Sequence, residues 1–420
     1  MSARPLSILA VTLRYPPYVA GGYELLTRDA VETLRERGHR VRVLCGAGTR
    51  FDGAEDVLPW LAPDLDGEED LFERSFRASN AERLRLHVLR LANYRATRRA
   101  LVGADALLFF NLGMVSLAPV LAARHARVPT LGFLSDAWPA NHWVLSWRER
   151  APDSLRLALL ERFWRGFREL VDLGPLLACS AYLARRLEGE GLPRIDVAHL
   201  GVPRDVERAA AARERAGPRA RAAQEPLRVL CTSSLWEGKG QDVLLAAAAR
   251  ALELGAELEL VLAAGSARPE FRARLEALAG AAPLRGRVAF RERLPRAELL
   301  AELARAHVLV LPSTWGEPFA LAVLEGLALG LAVVASDAGG SPEALRDGVD
   351  GRITPAGDAE ALARALVELE RDEPRRLALA RAGQVRAREL AQGRFVERLE
   401  LGLARARGEA PVGAGAGGGH

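Results

Sequence analysis

Residues 308–325 read VLVLPSTWGEPFALAVLE and predict the unit from which this chain is built. The four apolar residues Val308–Leu311 are typical of a buried strand, and the loop after them leads into a helical pattern. The same order, a short apolar run followed by a longer helical segment, recurs along the whole sequence. This alternation predicts an α/β fold in which helices cover parallel sheets.

Two sets of strands are predicted, separated by the Arg- and Ala-rich stretch from Asp205 to Glu225. A chain of 420 residues also exceeds what one hydrophobic core usually serves. We therefore expect two Rossmann-like domains, 1–203 and 204–385, that face each other across a cleft. A helix at 386–410 is expected to pack back on the first domain, and a disordered tail to follow at 411–420. The predicted strands are Leu6–Leu13, Val41–Leu44, Ala106–Phe110, Thr130–Leu134 and Pro175–Cys179, then Arg228–Cys231, Leu258–Ala263, Arg287–Phe290, Val308–Leu311 and Ala332–Ala335.

The composition argues against nucleic acid as a partner. Lys and Arg number 58 against 54 Asp and Glu, and the small net charge of +4 is spread along the chain. No apolar run reaches the roughly 18 residues that a membrane span needs. The run Leu6–Leu13 is interpreted as a buried strand rather than an export signal. The three cysteines are far apart and fit buried thiols, so a cytoplasmic protein is expected.

Two carboxylates follow the strand Val308–Leu311. If a helix starts near Glu317, then Glu325 lies two turns along it, roughly 10 Å away at 1.5 Å per residue. A diphosphate separates a sugar from a ribose by a similar span. The backbone amides of Phe319, Ala320 and Leu321 would point at an anion between the two acids. The alternative, a helix start and an exposed surface charge, is equally compatible with this motif alone.

Lys239 is the only lysine in the chain and stands in the turn Trp-Glu-Gly-Lys-Gly after a predicted strand. This position is the carboxyl edge of the second sheet, where ligands of such sheets bind. An ammonium group is a compact phosphate ligand, whereas arginine is a planar fork. Glycine pairs at Gly21-Gly22 and Gly339-Gly340 also follow predicted strands, and we interpret them as sites where backbone approaches a ligand.

One possible metal motif occurs in the long, partly acidic stretch 46–80, which we interpret as an excursion at the rim of the cleft. Asp64-Leu65-Asp66 has Asp-x-Asp spacing, but no strand pattern adjoins it. We favour a solvated turn for these residues.

Together these motifs closely resemble glycosyltransferase family 4, the retaining enzymes of GT-B fold. The most specific part runs from Pro312 to Glu343 and holds the Glu-x7-Glu pair and Gly339-Gly340. The resemblance implies transfer of a sugar from a nucleotide sugar, without a metal or other cofactor. It also implies roles for individual residues: Glu317 for hydroxyls of the donor sugar, Glu325 for the ribose and Lys239 for the leaving diphosphate. The amides of Phe319 to Leu321 and of Gly22, with Gly21 in the same loop, would assist Lys239.

Two departures from the family pattern bear on the donor. Ser233-Ser234 stands where the family usually shows Gly-Arg, so either Ser234 binds phosphate or Arg291 or Arg293 replaces the missing cation. Asp136 stands where a histidine is frequent. We assign it a sugar contact in catalysis, with a helix cap as the alternative.

The acceptor is expected on the first domain. A helix at 155–171 carries an apolar stripe flanked by arginines, which would suit contact with the inner face of a membrane and a lipid-linked acceptor. Packing within its own domain is the favoured alternative. UDP- or GDP-sugars are the expected donors, and a glycan, a lipid-linked molecule or a small molecule the expected acceptor. Two other functions stay open: a non-catalytic binding subunit of a polysaccharide assembly, and a nucleotide-sugar epimerase.

Overall fold

The computed structural model describes residues 4–17, 22–46, 56–61, 91–113, 115–139, 172–213, 217–292 and 294–409. The chain divides into two compact units. The first comprises Met1–Ala198 together with Phe395–His420, and the second comprises His199–Arg394.

The first unit is built on a parallel sheet of seven described strands in the order β3-β2-β1-β4-β5-β6-β7. The chain starts in the middle of this sheet and winds to both sides, which is the Rossmann-like arrangement. The inner strands are mainly apolar and buried, as expected where helices cover both faces of a sheet. The strands are β1 Ser7–Val11, β2 Arg40–Gly46, β3 Val57–Leu61, β4 Ala106–Phe109, β5 Thr130–Leu134, β6 Leu176–Ala178 and β7 Ile195–Val197.

Four described helices connect these strands. At the start of the helix Ala181–Gly189, the side chain of Ser180 accepts a hydrogen bond from the amide of Leu183 and caps the first turn. The helices are α1 Gly22–Glu36, α2 Leu91–Ala100, α3 Ala118–His125 and α4 Ala181–Gly189.

The second unit contains a parallel sheet of six described strands in the order β10-β9-β8-β11-β12-β13. Three central strands of this sheet are paired side by side, and Val308 lies opposite Val229 on one side and Ala332 on the other. The strands are β8 Leu227–Thr232, β9 Leu258–Ala264, β10 Val288–Glu292, β11 Val308–Leu311, β12 Ala332–Ser336 and β13 Arg352–Thr354. The helices are α5 Arg204–Arg213, α6 Gln241–Glu253, α7 Pro269–Gly280, α8 Arg296–Arg305, α9 Leu321–Leu329, α10 Ala359–Arg371 and α11 Glu373–Glu389.

The last described helix, α12 Gln392–Ala406, carries the chain from the second unit back to the first. Within the first unit, the Phe395 ring packs edge-on against Phe133 of β5 at 4.8 Å between centroids. Glu400 hydrogen-bonds the His39 ring at 3.0 Å. An apolar anchor and an ion pair thus hold the end of the chain on this unit.

The predicted strands agree with the structure to within one or two residues at each end. Three short strands, β3, β7 and β13, were not predicted, and β3 lies in the stretch that we interpreted as an excursion. The stretch from Asp205 to Glu225, which separates the two sets of predicted strands, begins within the helix α5, and its alanines and arginines favour this helix. All three cysteines are buried and free, in agreement with the prediction. None of the described helices is both long and apolar enough to cross a membrane.

Candidate active site

The turn that carries Lys239 packs directly on the loop after β11. A short 3-10 helix spans Glu237–Lys239 and ends at Gly240, whose φ is +68°. A Cβ atom at Gly240 would lie 2.0 Å from the carbonyl oxygen of Pro312. The amide of Thr314 donates to the carbonyl of Gly238 at 2.9 Å. Backbone contact therefore joins the two loops, and glycine is required where they meet.

A third loop, which follows β12, completes the arrangement. The Gly340 amide donates to the carbonyl of Glu317 at 2.7 Å. Gly339 has a φ of +72°, and a Cβ there would lie 2.2 Å from the carbonyl oxygen of Glu317. We expected this glycine pair to approach a ligand. The structure shows that it approaches the backbone of Glu317, a candidate ligand-binding residue.

The ammonium of Lys239 forms an ion pair with Oε1 of Glu317. The hydroxyl of Ser313 donates to the same oxygen at 3.2 Å, and the Trp315 ring centre lies 5.3 Å from the ammonium. The Glu317 side chain is only 7% exposed and that of Lys239 is 18% exposed. No bond to Oε2 of Glu317 is found among the described residues. One carboxylate oxygen can therefore accept a further hydrogen bond.

The helix after this loop begins later than predicted. α9 starts at Leu321, and Ala320 is extended, with φ −93° and ψ 113°. Glu317 thus lies in the loop before the helix rather than at a helix mouth, and this loop is fixed by the Gly340 contact and by the stacking of Phe319 on His199. The spacing of 1.5 Å per residue does not apply between Glu317 and Ala320.

The start of α9 has the properties of an anion site. Ala320 provides no side-chain cap. In the described part of the chain, the amides of Phe319, Ala320 and Leu321 have no hydrogen-bond acceptor. Free amides at the positive end of a helix favour an anionic ligand.

Glu325 lies one turn into α9 and is 9% exposed at its side chain. Arg296, the first residue of α8, contacts its Oε1 at 2.7 Å. The same guanidinium binds Asp205 of α5 through two further hydrogen bonds, at 2.7 and 3.1 Å. Burial raises the pKa of Glu325, and Arg296 opposes this shift. Sequence analysis did not identify Arg296 or Asp205, because they lie 91 residues apart and no local pattern joins them.

Two family models match the chain in succession. The model described as "Glycosyltransferase Family 4" matches residues 20–206, and that described as "Glycosyl transferases group 1" matches residues 213–386. The chain belongs to glycosyltransferase family 4. It is a glycosyltransferase of GT-B fold that uses a nucleotide-sugar donor.

Curated relatives and solved structures agree with this assignment. The chain is 28% identical over 413 residues to a glycogen synthase of Mycobacterium tuberculosis (strain CDC 1551 / Oshkosh), covering 91% of this chain and 90% of the relative. It is 39% identical over 171 residues to a D-inositol 3-phosphate glycosyltransferase of Thermomonospora curvata, 38% of each chain.

Among solved structures, Anabaena Alr3699/HepE in complex with UDP matches with a TM-score of 0.66 and 18% identity, covering 95% of this chain and all 100% of that one. Sucrose-phosphate synthase of Thermosynechococcus elongatus matches with a TM-score of 0.67 and 19% identity, covering 94% and 97%. At this identity the structural matches show a shared fold.

In this glycosyltransferase, Ser234 belongs to a small polar cluster rather than standing alone. Its hydroxyl accepts a hydrogen bond from Ser266 at 2.9 Å, and its carbonyl accepts one from the Gln241 side chain at 3.0 Å. Arg291 is exposed near the end of β10. Arg293, the other candidate replacement for the missing cation, lies outside the described residues.

The remaining candidates belong to the first unit. Asp136 follows β5, where it accepts hydrogen bonds from the Trp138 amide at 2.8 Å and from the Asn111 side chain at 3.2 Å. Burial raises its pKa to about 6. The contact with Trp138 is of the capping type that we considered as the alternative. Gly22 is the exposed first residue of α1, and Gly21 lies outside the described residues.

Three further predicted features lie outside the described residues: Asp64-Leu65-Asp66, the helix at 155–171 and the tail at 411–420. Over the described ranges, no group of three or more His, Cys, Asp and Glu side chains is arranged to hold a metal ion.

Proposed function

We propose that this glycosyltransferase transfers a hexosyl group with retention at the anomeric carbon and without a metal. The observation that carries the proposal is the Lys239–Glu317 ion pair beside the uncapped start of α9. One cation and three free amides supply the positive charge that a leaving diphosphate requires. Removal of divalent ions with EDTA is expected to leave the transfer rate unchanged.

The roles of the individual groups follow from the charges. An incoming diphosphate competes with Glu317 for Lys239, so donor binding would separate the ion pair and release Glu317 for hydroxyls of the sugar. Glu325, one turn into α9, would bind the ribose. The amides of Phe319, Ala320 and Leu321 would bind phosphate oxygens between them.

In the transfer step, the bond between the anomeric carbon and the diphosphate oxygen breaks, and its electrons leave with the nucleoside diphosphate. The acceptor hydroxyl oxygen bonds to the same carbon on the same face, and its proton passes to the departing phosphate. Lys239 and the helix amides stabilise the negative charge on the phosphate as the bond breaks. The products are the glycosylated acceptor and the nucleoside diphosphate.

We propose UDP- or GDP-sugars as donors and assign the acceptor to the first unit. The relatives' names suggest the acceptor classes. One is a glycogen synthase, one is a phosphatidyl-myo-inositol mannosyltransferase and one is a D-inositol 3-phosphate glycosyltransferase. A glycan, a lipid-linked molecule or a small polyol is therefore the acceptor to test. Asp136 is proposed to contact a sugar hydroxyl, and the segment 155–171 a membrane surface at the inner face.

The test begins with a thermal-shift panel of UDP-, GDP-, ADP- and TDP-sugars, followed by two variants assayed with the donor that binds. Lys239→Ala is expected to weaken nucleoside diphosphate binding by about 10- to 100-fold, since it removes a charge-assisted hydrogen bond. Glu317→Ala is expected to lower kcat more than nucleotide affinity. Glu237→Ala, an exposed acid in the same turn as Lys239, serves as the control and should change neither.

Three outcomes would contradict the proposal. Unchanged transfer in both site variants would remove these residues from the reaction. An isomerised sugar nucleotide as the sole product would indicate an epimerase. Nucleotide binding without hydrolysis or transfer, across the panel and the acceptor classes, would indicate a binding subunit.

A further inference from the structure

Arg296 forms the centre of a three-residue charge network in the second unit. Its guanidinium uses Nε and Nη2 on Asp205, at 2.7 and 3.1 Å, and Nη1 on Glu325, at 2.7 Å. The three side chains come from α5, α8 and α9. Their exposures are low, 21% for Asp205, 27% for Arg296 and 9% for Glu325.

We infer that Arg296 is a positioning residue, which keeps Glu325 ionised and fixes one of its oxygens so that the other accepts the ribose hydroxyls of the donor. The inference rests on the proposed role of Glu325 in donor binding. It adds Arg296, which no sequence motif marked, to the residues involved in ribose binding. Glu325 contacts the ribose, and Arg296 holds Glu325 in position.

The first argument concerns charge. A carboxyl group buried to this degree takes up a proton more readily, and burial is the largest influence on the pKa of Glu325, which is raised. A protonated carboxyl group can accept fewer hydrogen bonds from a ribose. Arg296 is the nearest positive charge that opposes this shift.

The second argument concerns geometry. A guanidinium is planar, and two bonds to Asp205 fix its plane. The third bond then sets the position of Oε1 of Glu325. No side chain in the described ranges is bonded to Oε2, so this oxygen can accept a hydrogen bond from a ligand.

The third argument is that helix stability does not explain the arrangement. Arg296 is the first residue of α8, where a positive charge is unfavourable because the helix dipole is positive there. Partly buried ion pairs contribute little net stability because both charges lose water. An arginine at this site is better explained by what it does to Glu325.

The experiment measures the affinity of the full chain for UDP and GDP, and for their 2′,3′-dideoxy forms, by calorimetry. In Arg296→Met the affinity for the natural nucleotide that binds is expected to fall about 10-fold, while that for the dideoxy form changes less than 2-fold. Arg296→Lys keeps the positive charge but not the planar guanidinium with its several donors, so an intermediate loss of affinity for the natural nucleotide is expected. Glu325→Gln should show the same selectivity as Arg296→Met.

Two further variants complete the test, one a matched control and the other a change to the third member of the network. Arg305→Met removes an arginine from the other end of α8, where it pairs with Glu302 and is 67% exposed, and should bind both nucleotide forms normally. Asp205→Asn leaves Arg296 and Glu325 in contact but loosens the guanidinium. A smaller loss, again confined to the nucleotide with ribose hydroxyls, is expected.

The outcomes separate this inference from the proposed function. Equal losses of affinity for the natural and dideoxy nucleotides in Arg296→Met would overturn the positioning role, and so would no loss in a folded variant. In either case, nucleotide binding by the wild-type chain would leave the proposed function intact. A wild-type chain that binds neither UDP nor GDP nor any donor of the panel would overturn the proposed function, and the inference with it.

Discussion

Replacing Gly339 by alanine tests whether the loop after β12 sets the position of Glu317. An added Cβ would lie 2.2 Å from the carbonyl oxygen of Glu317, 2.5 Å from its nitrogen and 2.7 Å from the carbonyl carbon of Gly316. All three atoms are backbone, so no side-chain rotation relieves the contact. The loop that carries Glu317 must move, or the loop that carries Gly339 must change conformation.

The size of the effect has two parts. A non-glycine residue at a φ of +72° costs roughly 1–2 kcal/mol. Forcing an extra methyl into a packed site typically costs about 1–3 kcal/mol more. We therefore expect Gly339→Ala to lower the free energy of unfolding by about 2–5 kcal/mol. A displacement of Glu317 by about 1 Å would lower kcat/KM by about 100-fold.

Gly357→Ala is the matched control, because Gly357 has a φ of +80° and open space where its Cβ would be. It should carry the backbone cost alone, about 1–2 kcal/mol, with normal transfer. Urea denaturation and the transfer rate are measured for both variants. Equal stability losses, with full activity in Gly339→Ala, would refute the idea that steric contact at Gly339 places Glu317.

Two further predictions concern pH. His307 is buried, its Nδ1 accepts a hydrogen bond from the Arg228 amide, and burial lowers its pKa to about 4. Between about pH 6.5 and 4, the histidine is protonated in the unfolded chain but not in the folded chain. The free energy of unfolding therefore decreases as the pH is lowered through this range, by at most about 1.4 kcal/mol per pH unit. His307→Asn, which keeps an acceptor, should flatten that slope in urea titrations at pH 7 and 5. Asp136, with its pKa near 6, should make kcat/KM fall below about pH 6, and Asp136→Asn should abolish the inflection.

The sequence was most informative where local and tertiary requirements coincide. Val308–Leu311 and Thr130–Leu134 were predicted with the bounds that the structure shows, because each is a short, mainly apolar segment bounded by proline or a polar residue. The missed strands β3 and β13 are edge strands of three to five residues with partly exposed side chains. Without burial on both faces, such segments lack the continuous apolar pattern that marks the inner strands.

The residues of the candidate site also divide into those that a local sequence pattern predicts and those that it does not. Lys239 and Glu317 could be predicted because each follows the carboxyl end of a central strand, and parallel strands bring those ends to one edge. Arg296 and Asp205 stand near helix starts, 91 residues apart, and no local pattern joins them. The late start of α9 was also missed, since contacts from other loops hold Ala320 extended against its helical neighbours.

The resting state of this site places opposite charges where a ligand would separate them. Lys239 and Glu317 neutralise each other, and Arg296 forms ion pairs with both Glu325 and Asp205. Under the proposed function, a diphosphate would bring its own negative charge to Lys239 and leave Glu317 for the sugar, whereas a neutral ribose would not displace Arg296. Glu317 would therefore exchange its partner when the donor binds, and Glu325 would keep its partner. A diphosphate alone should then loosen the loop of Glu317 but leave the Arg296 network intact.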